Sequence, residues 1–536
     1  MPNAMSKINH KSIDRKQRLL ELIVGLGPFA FLGLIIVLSY FSIKASSALL
    51  LVYAVAWVIR LIGYSYRLII SHYFLYLSMS IDWQDKLKDI NSDPKLTNVN
   101  GFLAIRAQKW YLKLLGQGIP IERRLAPDCI YHALIVAISI EKPEVIKMTL
   151  EGIEASKYDH NKILLILAYE ERGGKEIEFM VKNFVDQYQG EFKLVRAIKH
   201  PDNIIGEAKA KAGNISYAAK KVSQYCRSQG IPPEQVLITT LDADAWPHPQ
   251  YLASLTWTYS LTEKRTHRSY QPIPMFINNI WDVPAIVRVI ASDSSFWFMI
   301  GAVNPRRLRL FSAYAQSMKT LEDVDYWNVE TVVEDGHQYW RTYFRYLGDH
   351  CVIPIWIPIY QDAVLSDGYW RNMIDQFRQL RRWAWGASDT PWLLREAWKD
   401  KQIKWSNKLV NIFRQFDDYL AWSTAPIVLS IGGWLPMLLS PRGRVSTLAT
   451  QLPYIIGGIQ LLAAVGLIIP VVISLMHLPP RPSRYGRKKN ILMILQWFLE
   501  PIALIFFISL ASLDAHARLV YNKPLEKFHV TEKNRR

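Results

Sequence analysis

Two acidic side chains, Asp242 and Asp244, are separated by one residue and follow the apolar run VLITTL at 236–241. In an extended segment, residues i and i+2 point to the same side, so both carboxylates can face one ligand. Their oxygens can bind a divalent cation and leave coordination positions open for phosphate. An isolated pair of this kind is more often a polar turn. Here Pro247 and Pro249 stop the strand and fix the turn, which favours a cation and diphosphate site.

A lysine upstream offers a positive charge for the same diphosphate. Lys211 lies in AKAKAGNISYAA (208–219), where Gly213 permits close approach of the backbone to a ligand. Lys209 is the alternative candidate in this segment. The other interpretation is an ordinary solvated helix start.

A second acidic pair, Glu334-Asp335, lies in the segment ETVVEDGHQYWR. When a hydroxyl group attacks an electrophile it must lose its proton, and a nearby carboxylate can accept that proton. One of the two acids is therefore a candidate general base. The alternative is a helix N-terminus, where acidic residues are stabilised by the helix dipole.

The third patch is QFRQLRRWAWG at 376–386. Gln379, Arg382 and Trp383 fall at positions i, i+3 and i+4, so a helix places them on one face. Arg382 can bind phosphate and Trp383 can stack on a sugar ring, which suits an acceptor site beside a leaving group. Taken alone, the triple would more often anchor a helix at a membrane surface.

The segments that position these residues alternate between short apolar runs and helical patterns, which indicates an α/β domain with a parallel sheet. The predicted strands are 133–140, 162–168, 192–198 and 236–241. Open parallel sheets bind ligands beyond the carboxyl ends of their strands. Glu141 follows the first strand, Glu170 and Glu171 the second, and the Asp242 pair the fourth.

Five apolar runs are long enough to span a bilayer. They are residues 19–43, 46–66, about 421–440, 452–476 and 491–513. The first two predict a hairpin. The first run follows a cluster of Lys and Arg and lacks the cleavage site of a signal peptide, so it should be retained.

The 536 residues carry a formal net charge of +18, which could indicate nucleic acid. Many of the cations flank apolar runs, however, and the positive-inside rule explains them more simply. We therefore expect no nucleic-acid partner and a multi-pass protein of the plasma membrane, with the N-terminus, the polar middle and the basic loop 481–489 in the cytosol. Whether the last run spans stays open, because Pro501 could break it and a spanning run would put a basic tail outside.

Tryptophan is concentrated between 370 and 418, which predicts helices lying on the cytosolic membrane face, with a buried aromatic core as the alternative. Cys129, Cys226 and Cys351 are far apart, so neither a disulfide framework nor a zinc site is predicted. The predicted organisation is a basic tail (1–18), a transmembrane hairpin (19–70), a helical connector (71–126), an α/β domain (127–369), interfacial helices (370–418), a C-terminal transmembrane region (419–513) and a second basic tail (514–536).

In order, these segments resemble the membrane-bound family 2 glycosyltransferases, the group that contains cellulose synthase and hyaluronan synthase. The resemblance covers about residues 130–400 and implies a GT-A type (nucleotide-diphospho-sugar transferase) domain, with α-helical transmembrane segments on both sides. It implies that Asp242 and Asp244 bind the donor diphosphate through Mg²⁺ or Mn²⁺, and that Asp335 is the catalytic base. Glu334, Gln379, Arg382 and Trp383 are then expected at the acceptor and diphosphate end. FHVTEK (528–533) is similar to the cytosolic C-terminal element of the family.

The chain departs from the family pattern on the donor side. After the first strand only the acid Glu141 is kept, and where the family has an Asp that contacts the nucleoside, this chain has Glu170 and Glu171. These acids are expected on the donor side, together with Lys211, which the residue pattern above places at the diphosphate. Which of Glu170 and Glu171 contacts the nucleoside stays open.

The sequence thus predicts an inverting hexosyltransferase with a nucleotide-sugar donor, a UDP-sugar being favoured, and a growing polysaccharide or another hydroxyl compound as acceptor. Membrane lipids are the expected surroundings. One alternative is a single addition to a lipid-linked acceptor. Another is a transporter or scaffold that binds nucleotides without turnover, although the lack of a long set of inverted repeats counts against a stand-alone transporter.

Overall fold

In the computed structural model, residues 15–90, 102–115 and 123–525 are described. The strands are β1 (Tyr131–Ile138), β2 (Ile163–Glu170), β3 (Leu194–His200), β4 (Val236–Asp242), β5 (Trp246–Pro247), β6 (Arg268–Met275), β7 (Tyr314–Ser317) and β8 (Cys351–Tyr360). The helices up to the end of the sheet are α1 (Arg15–Phe41), α2 (Ile43–Met79), α3 (Trp83–Lys88), α4 (Phe102–Leu115), α5 (Pro143–Glu154), α6 (Gly174–Tyr188), α7 (Lys211–Ser228), α8 (Tyr251–Leu261), α9 (Ala285–Ala302), α10 (Met318–Asp323) and α11 (Glu334–Arg345). The C-terminal helices are α12 (Tyr369–Ala384), α13 (Asp389–Lys399), α14 (Trp405–Ile431), α15 (Leu435–Leu439), α16 (Thr447–Ala464), α17 (Ile468–Met476), α18 (Lys488–Leu495), α19 (Glu500–Ile502) and α20 (Leu510–Val520).

The strands form one mixed sheet in the order β3-β2-β1-β4-β7-β6-β8-β5. The first four of these are parallel neighbours, as predicted, with ends that differ from the prediction by at most two residues. Strand β7 runs antiparallel to β4 and β6, and β8 is parallel to β6. The α/β class is therefore confirmed, and the sheet as a whole is mixed.

Helices cover both faces of the sheet. Along β1, Leu134 and Val136 belong to one apolar core with Leu150 of α5. Ile135 points the opposite way and packs in a second core with Val222 of α7. Alternate residues of a strand face opposite sides, and a run buried on both faces reads as continuously apolar.

Five helical segments are long and apolar enough to cross a membrane, which suggests membrane association. They are Arg15–Phe41, Ile43–Met79, Ala285–Ala302, Trp405–Leu439 and Lys488–Val520. Helix α9 was not predicted as a span; it lies within the expected α/β domain and is mostly buried. The predicted span 452–476 is not one of the five, and it is divided into α16 and α17 by a 3-10 turn at Val465–Leu467.

Helix α2 passes through residue 70, where the predicted hairpin ends. It continues to Met79, into the expected helical connector. Its Phe74 ring stacks on Trp356 of β8, with centroids 4.7 Å apart, so one helix joins the apolar region to the sheet. The remaining connector residues include α3 and α4, while 91–101 and 116–122 lie outside the described residues.

The last apolar segment is helical from Lys488 to Val520. Pro501 does not end it: the chain passes into a π-helical stretch at Ala503–Ser509 before α20 begins. Such a stretch re-pairs backbone groups where proline interrupts the usual ladder. Helix α20 takes in the start of the predicted basic tail, whereas 1–14 and 526–536, including FHVTEK, lie outside the described residues.

The tryptophan-rich segment 370–418 contains α12, α13 and the first half of α14. Trp370 and Trp398 are 77% and 73% exposed, as expected of a membrane-facing surface, whereas Trp385 is buried. Both features are therefore present in this segment: some of its tryptophans are exposed, as membrane anchors would be, and others are buried.

Candidate active site

One cavity of about 1050 Å³ lies at the carboxyl ends of β1 and β4 and extends along the apolar helices. Its wall contains all but one of the site residues that the sequence predicts. They are Glu141, Glu170, Lys211, Asp242, Asp244, Glu334, Asp335, Gln379, Arg382 and Trp383. The exception is Glu171. The three sequence patches are thus brought together in space.

Asp242 is the centre of a polar network at the end of β4. Its Oδ1 lies 2.7 Å from Nζ of Lys211, and its Oδ2 accepts a 2.9 Å hydrogen bond from the hydroxyl of Ser312. Nζ of Lys211 also donates to the carbonyl of Ser312 at 2.9 Å. Nε2 of Gln361 donates to the Ser312 hydroxyl at 2.8 Å and lies 3.4 Å from Oδ2 of Asp242.

The structure distinguishes the two candidate lysines. Lys211 is the first residue of α7 and its side chain is only 8% exposed, with Nζ directed at Asp242. Lys209 lies 3.9 Å from Asp202 and its side chain is 46% exposed. Of the two candidates, Lys211 lines the cavity and Lys209 does not.

Asp244 lies beyond the end of β4 and is 1% exposed. Its Oδ2 accepts a 2.9 Å hydrogen bond from the backbone amide of Asp362, which follows β8. The predicted proline turn after Asp244 includes β5, which pairs with β8. A side chain at Gly152 of α5 would overlap Trp246, so this glycine lets the turn pack closely.

Asp242 and Asp244 suit a hard divalent cation, because both offer carboxylate oxygens to one cavity. Within the described residues, no group of three or more His, Cys, Asp or Glu side chains is arranged to hold a metal ion. A cation at this place would accordingly take only part of its coordination shell from these acids, and phosphate oxygens or water would complete it.

Glu334 and Asp335 form the first turn of α11, so the helix N-terminus considered above is present. The same two acids also line the cavity. Asp335 is held by two backbone amides: Ser312 donates to Oδ2 at 3.0 Å and Gly336 to Oδ1 at 2.8 Å. These bonds orient the carboxylate.

The charges of the cavity perturb one another. Burial and the neighbouring Asp335 raise the pKa of Glu334 to about 7, against the lowering effect of Lys211 and Arg382. Burial also raises the pKa of Asp335, which its two backbone hydrogen bonds oppose. Burial lowers the pKa of Arg382, whereas Lys211 has a raised pKa because nearby carboxylates outweigh its burial. A carboxyl group with a pKa near neutrality is suited to accept and release a proton.

Gln379, Arg382 and Trp383 lie in the last two turns of α12, and all three face the cavity as the spacing predicts. The Trp383 ring contacts Phe276, with centroids 5.8 Å apart. Arg382 is within electrostatic reach of Glu334, Asp242 and Asp335. This helix therefore brings a guanidinium group and an aromatic ring to the acids.

The acids after β1 and β2 differ in position. Glu141 lines the cavity and accepts a 2.6 Å hydrogen bond from the amide of Ser139. Glu170 also lines it and forms an ion pair with Arg172. Glu171 turns away, accepting from the amide of Asp202 and pairing with Lys199 at 3.3 Å. Of the two glutamates, only Glu170 is part of the cavity wall.

Several cavity residues were missed by the sequence analysis. Gln361, which lines the cavity, and Asp362, whose amide binds Asp244, follow β8 directly, so the strand-end rule would have found them had β8 been predicted. Ser312 has φ of +32°, an uncommon conformation for a residue other than glycine that is often found at functional sites. For Ser312, Arg309 and Tyr419 no spacing or motif signals a role.

No protein-family model matches the chain, and no curated protein sequence matches it. Solved structures of nucleotide-sugar glycosyltransferases are similar to it. A mannosyltransferase, PcManGT from Pyrobaculum calidifontis in complex with GDP-Man and Mn²⁺, is 14% identical, with a TM-score of 0.38 over 84% of this chain and 99% of that one. TarS 1–349 of S. aureus in complex with UDP-GlcNAc is 11% identical, with a TM-score of 0.34 over 75% of this chain and 93% of that one.

GalNAc-T7 with UDP, GalNAc and Mn²⁺ is 10% identical, with a TM-score of 0.33 over 61% of this chain and 58% of that one. All three likenesses have TM-scores below 0.5 and identities below 25%. They do not by themselves assign a fold or an activity to this chain.

Proposed function

We propose that the chain is a membrane-embedded, inverting glycosyltransferase of the family 2 type, with a GT-A type domain. It would transfer a sugar from a nucleotide sugar, with a UDP-sugar as the favoured donor, to a hydroxyl group. The observation that carries this proposal is that Asp242, Asp335 and Arg382, which are widely separated in the sequence, line one cavity. Each has the chemistry that one step of sugar transfer requires.

In the proposed reaction, Asp335 accepts the proton of the acceptor hydroxyl as its oxygen attacks the anomeric carbon. The bond between that carbon and the diphosphate oxygen breaks, and the nucleoside diphosphate leaves with the bonding electrons. The backbone amides of Ser312 and Gly336 hold Asp335 in a fixed orientation during this step. Attack opposite the leaving group inverts the anomeric centre.

Negative charge develops on the diphosphate as it leaves, and two buried cations face it. Lys211 at the start of α7 and Arg382 on α12 supply positive charge within a cavity that restricts solvent, where such charges act strongly. Asp242 and Asp244 are the residues that would hold Mg²⁺ or Mn²⁺, which supplies charge stabilisation to phosphate oxygens when bound. Trp383 offers a ring face to a sugar at the acceptor side.

The direct test is incubation of the purified full chain in detergent or vesicles with a panel of radiolabelled nucleotide sugars and Mn²⁺. Release of nucleoside diphosphate together with labelled product from one donor supports the proposal. Binding of a nucleotide with no transfer to any supplied or co-purified acceptor would instead favour the non-catalytic transporter or scaffold.

A further inference from the structure

The cavity extends far beyond the acids, along the apolar helices. On α2, its wall includes Trp57, Leu61, Tyr64 and Leu68, which recur every three or four residues and so occupy one face of the helix. From Trp57 to Leu68 this face is about 16 Å long, at about 1.5 Å per residue. The cavity is therefore elongated and lies alongside a helix that is apolar enough to span a membrane.

The wall changes in polarity along α14. Near the acids it contains Gln415, Asp418 and Tyr419, and further along the helix it contains Trp422 and Leu429. These positions span about 21 Å of helix, at about 1.5 Å per residue. Asp293 and Glu500 also line the cavity, but along α2 and α14 the wall passes from a polar end at the acids to an apolar stretch. That stretch is complementary to a molecule with a polar head and a long apolar chain.

Arginines lie where the two parts of the cavity meet. Arg60 binds Asp417 at 3.1 Å, and Arg307 lies 3.4 Å from Asp417 and 3.5 Å from Asp418. Arg60 and Arg307 are thus compensated by carboxylates. A polar group of the ligand at this junction would meet the next arginine of the loop, Arg309.

Arg309 lines the cavity and has no carboxylate within 4 Å in the part of the chain that the structure describes. Its guanidinium stacks over Tyr339 and Trp340, at 4.2 and 4.7 Å from the ring centroids. Its Nε is buried without a hydrogen-bond partner among the described residues. Its Nη1 donates to the carbonyls of Arg306 and Leu308, and Asp418 is within electrostatic reach but forms no ion pair with it. The buried Nε of a cation without an ion pair favours an anionic ligand, and a guanidinium group matches phosphate geometry.

The loop that carries Arg309 also fixes its distance from the chemistry. Arg309 is three residues before Ser312, whose amide binds Asp335. Three residues span at most about 11 Å, so the two Cα atoms cannot be further apart. The two positions are therefore close enough for one molecule to place a phosphate at Arg309 and a hydroxyl at Asp335, with a short saccharide between them.

We infer that the acceptor is a lipid phosphate or diphosphate that carries a short saccharide. Its phosphate binds Arg309, its apolar chain lies along α2 and α14, and its terminal sugar hydroxyl reaches Asp335. This inference rests on the proposed sugar transfer and names its substrate class. Binding of such a lipid can be measured without any turnover, so the two proposals can fail separately.

The experiment measures binding to the purified full chain in detergent, as stabilisation against thermal unfolding by farnesyl phosphate, farnesol or inorganic phosphate. A ligand that binds only the folded protein raises its melting temperature in a concentration-dependent way. We expect farnesyl phosphate to bind at least tenfold more tightly than either farnesol or phosphate alone. Equal binding of farnesol, or of inorganic phosphate, overturns the inference, as does the absence of binding by farnesyl phosphate.

Variants locate the phosphate. Arg309→Gln should weaken farnesyl phosphate at least tenfold and leave farnesol unchanged, while Arg309→Lys keeps the charge and should lose less. Arg306→Gln is the matched control, because Arg306 belongs to the same loop, is exposed and does not line the cavity. Equal losses in the 306 and 309 variants overturn the assignment. If Arg309→Gln does not fold, the Lys variant and the three ligands on the unmodified chain still decide the question.

Discussion

The backbone amide of Ser312 lies 3.0 Å from Oδ2 of Asp335. The hydroxyl of the same serine donates to Asp242 at 2.9 Å, so one residue connects the last residue of β4 with the second residue of α11. The proposed donor and acceptor sides are therefore mechanically linked through the loop before β7. A displacement of this loop would alter both at once.

Replacing Lys211 should weaken donor binding. The Lys211→Ala variant removes the cation 2.7 Å from Asp242, and hydrogen bonds to charged groups contribute about 1.5–3 kcal/mol. We expect UDP to bind about tenfold to a hundredfold less tightly in isothermal titration calorimetry. The control is Lys209→Ala, two residues away and outside the cavity wall, which should change UDP affinity less than about twofold. Equal effects would remove Lys211 from the donor site.

The first four strands could be predicted because each is a local pattern, an apolar run followed by a helical period, and three of them, β1, β2 and β4, are buried on both faces. The second half of the sheet could not. Strand β8 contains Pro354 and Pro358, which argue against a strand in a sequence, yet it lies between β6 and β5. The pairing of β8 with β6 shifts register between Pro272 and Ile273. Such an irregularity accommodates proline in a sheet, but it appears only in the strand pairing and not in the sequence.

For the cavity too, local patterns could be predicted from the sequence and contacts between distant segments could not. Asp242, Asp335 and Arg382 were found because each belongs to a short pattern with a chemical interpretation. Ser312 and Arg309 lie in a loop without a motif, and their places depend on contacts with distant segments. Helix α9 was overlooked as a candidate span because Arg288 and Asp293 interrupt its apolar residues.

Glu334 should make the stability of the folded protein depend on pH. Its pKa is raised from 4.5 to about 7 by burial and by Asp335, so the folded state holds its proton more tightly than the unfolded state does. That contribution is fully present below pH 4.5 and is lost as the pH rises through 7. The difference in melting temperature between Glu334→Gln and the unmodified chain should accordingly grow in favour of the variant between pH 5 and about pH 8. This growth corresponds to a change of up to about 3 kcal/mol in the free energy of unfolding.

The control for Glu334→Gln is Glu330→Gln, which removes the same charge from an exposed position four residues earlier. Its melting temperature should run parallel to that of the unmodified chain over the same range. If the melting-temperature difference between Glu334→Gln and the unmodified chain did not change with pH, Glu334 would not carry the raised pKa.

Gly386, in the turn between α12 and α13, makes room for Tyr419 of α14. A methyl group at position 386 would overlap the Tyr419 hydroxyl and lie 3.1 Å from Cζ of the same ring. Overpacking of this kind costs about 1–3 kcal/mol, so Gly386→Ala should lower the melting temperature. Adding Tyr419→Phe removes the overlapping oxygen and should restore part of the loss, with a coupling free energy of at least about 0.5 kcal/mol. Strict additivity in this double-mutant cycle would contradict the packing argument.

The loop before the last apolar segment should face the same side as the α/β domain. Arg484 binds Asp282 at 2.7 and 2.8 Å, and Trp281 donates to the carbonyl of Pro479 at 3.0 Å. Cysteine introduced at Ser483 should therefore be shielded from an impermeant thiol reagent outside intact cells and labelled after permeabilisation. Labelling in intact cells would refute the predicted topology. Labelling of a cysteine introduced at Asn534 in intact cells would separately show that the last segment spans, because only a spanning segment exposes that position outside.

Asp335→Asn should keep donor binding and lose transfer. The amide has nearly the shape of the carboxylate but cannot accept the proton of the acceptor hydroxyl, and general-base catalysis typically contributes about 10²–10⁴-fold. We expect kcat to fall by about that factor, with the affinity for UDP unchanged within about threefold. The matched variant is Glu334→Gln, the adjacent acid of the same helical turn, which should retain more activity. If Glu334→Gln is the inactive variant and Asp335→Asn transfers sugar at the normal rate, the base is Glu334. If both remain active, neither acid is the base and the proposed mechanism fails.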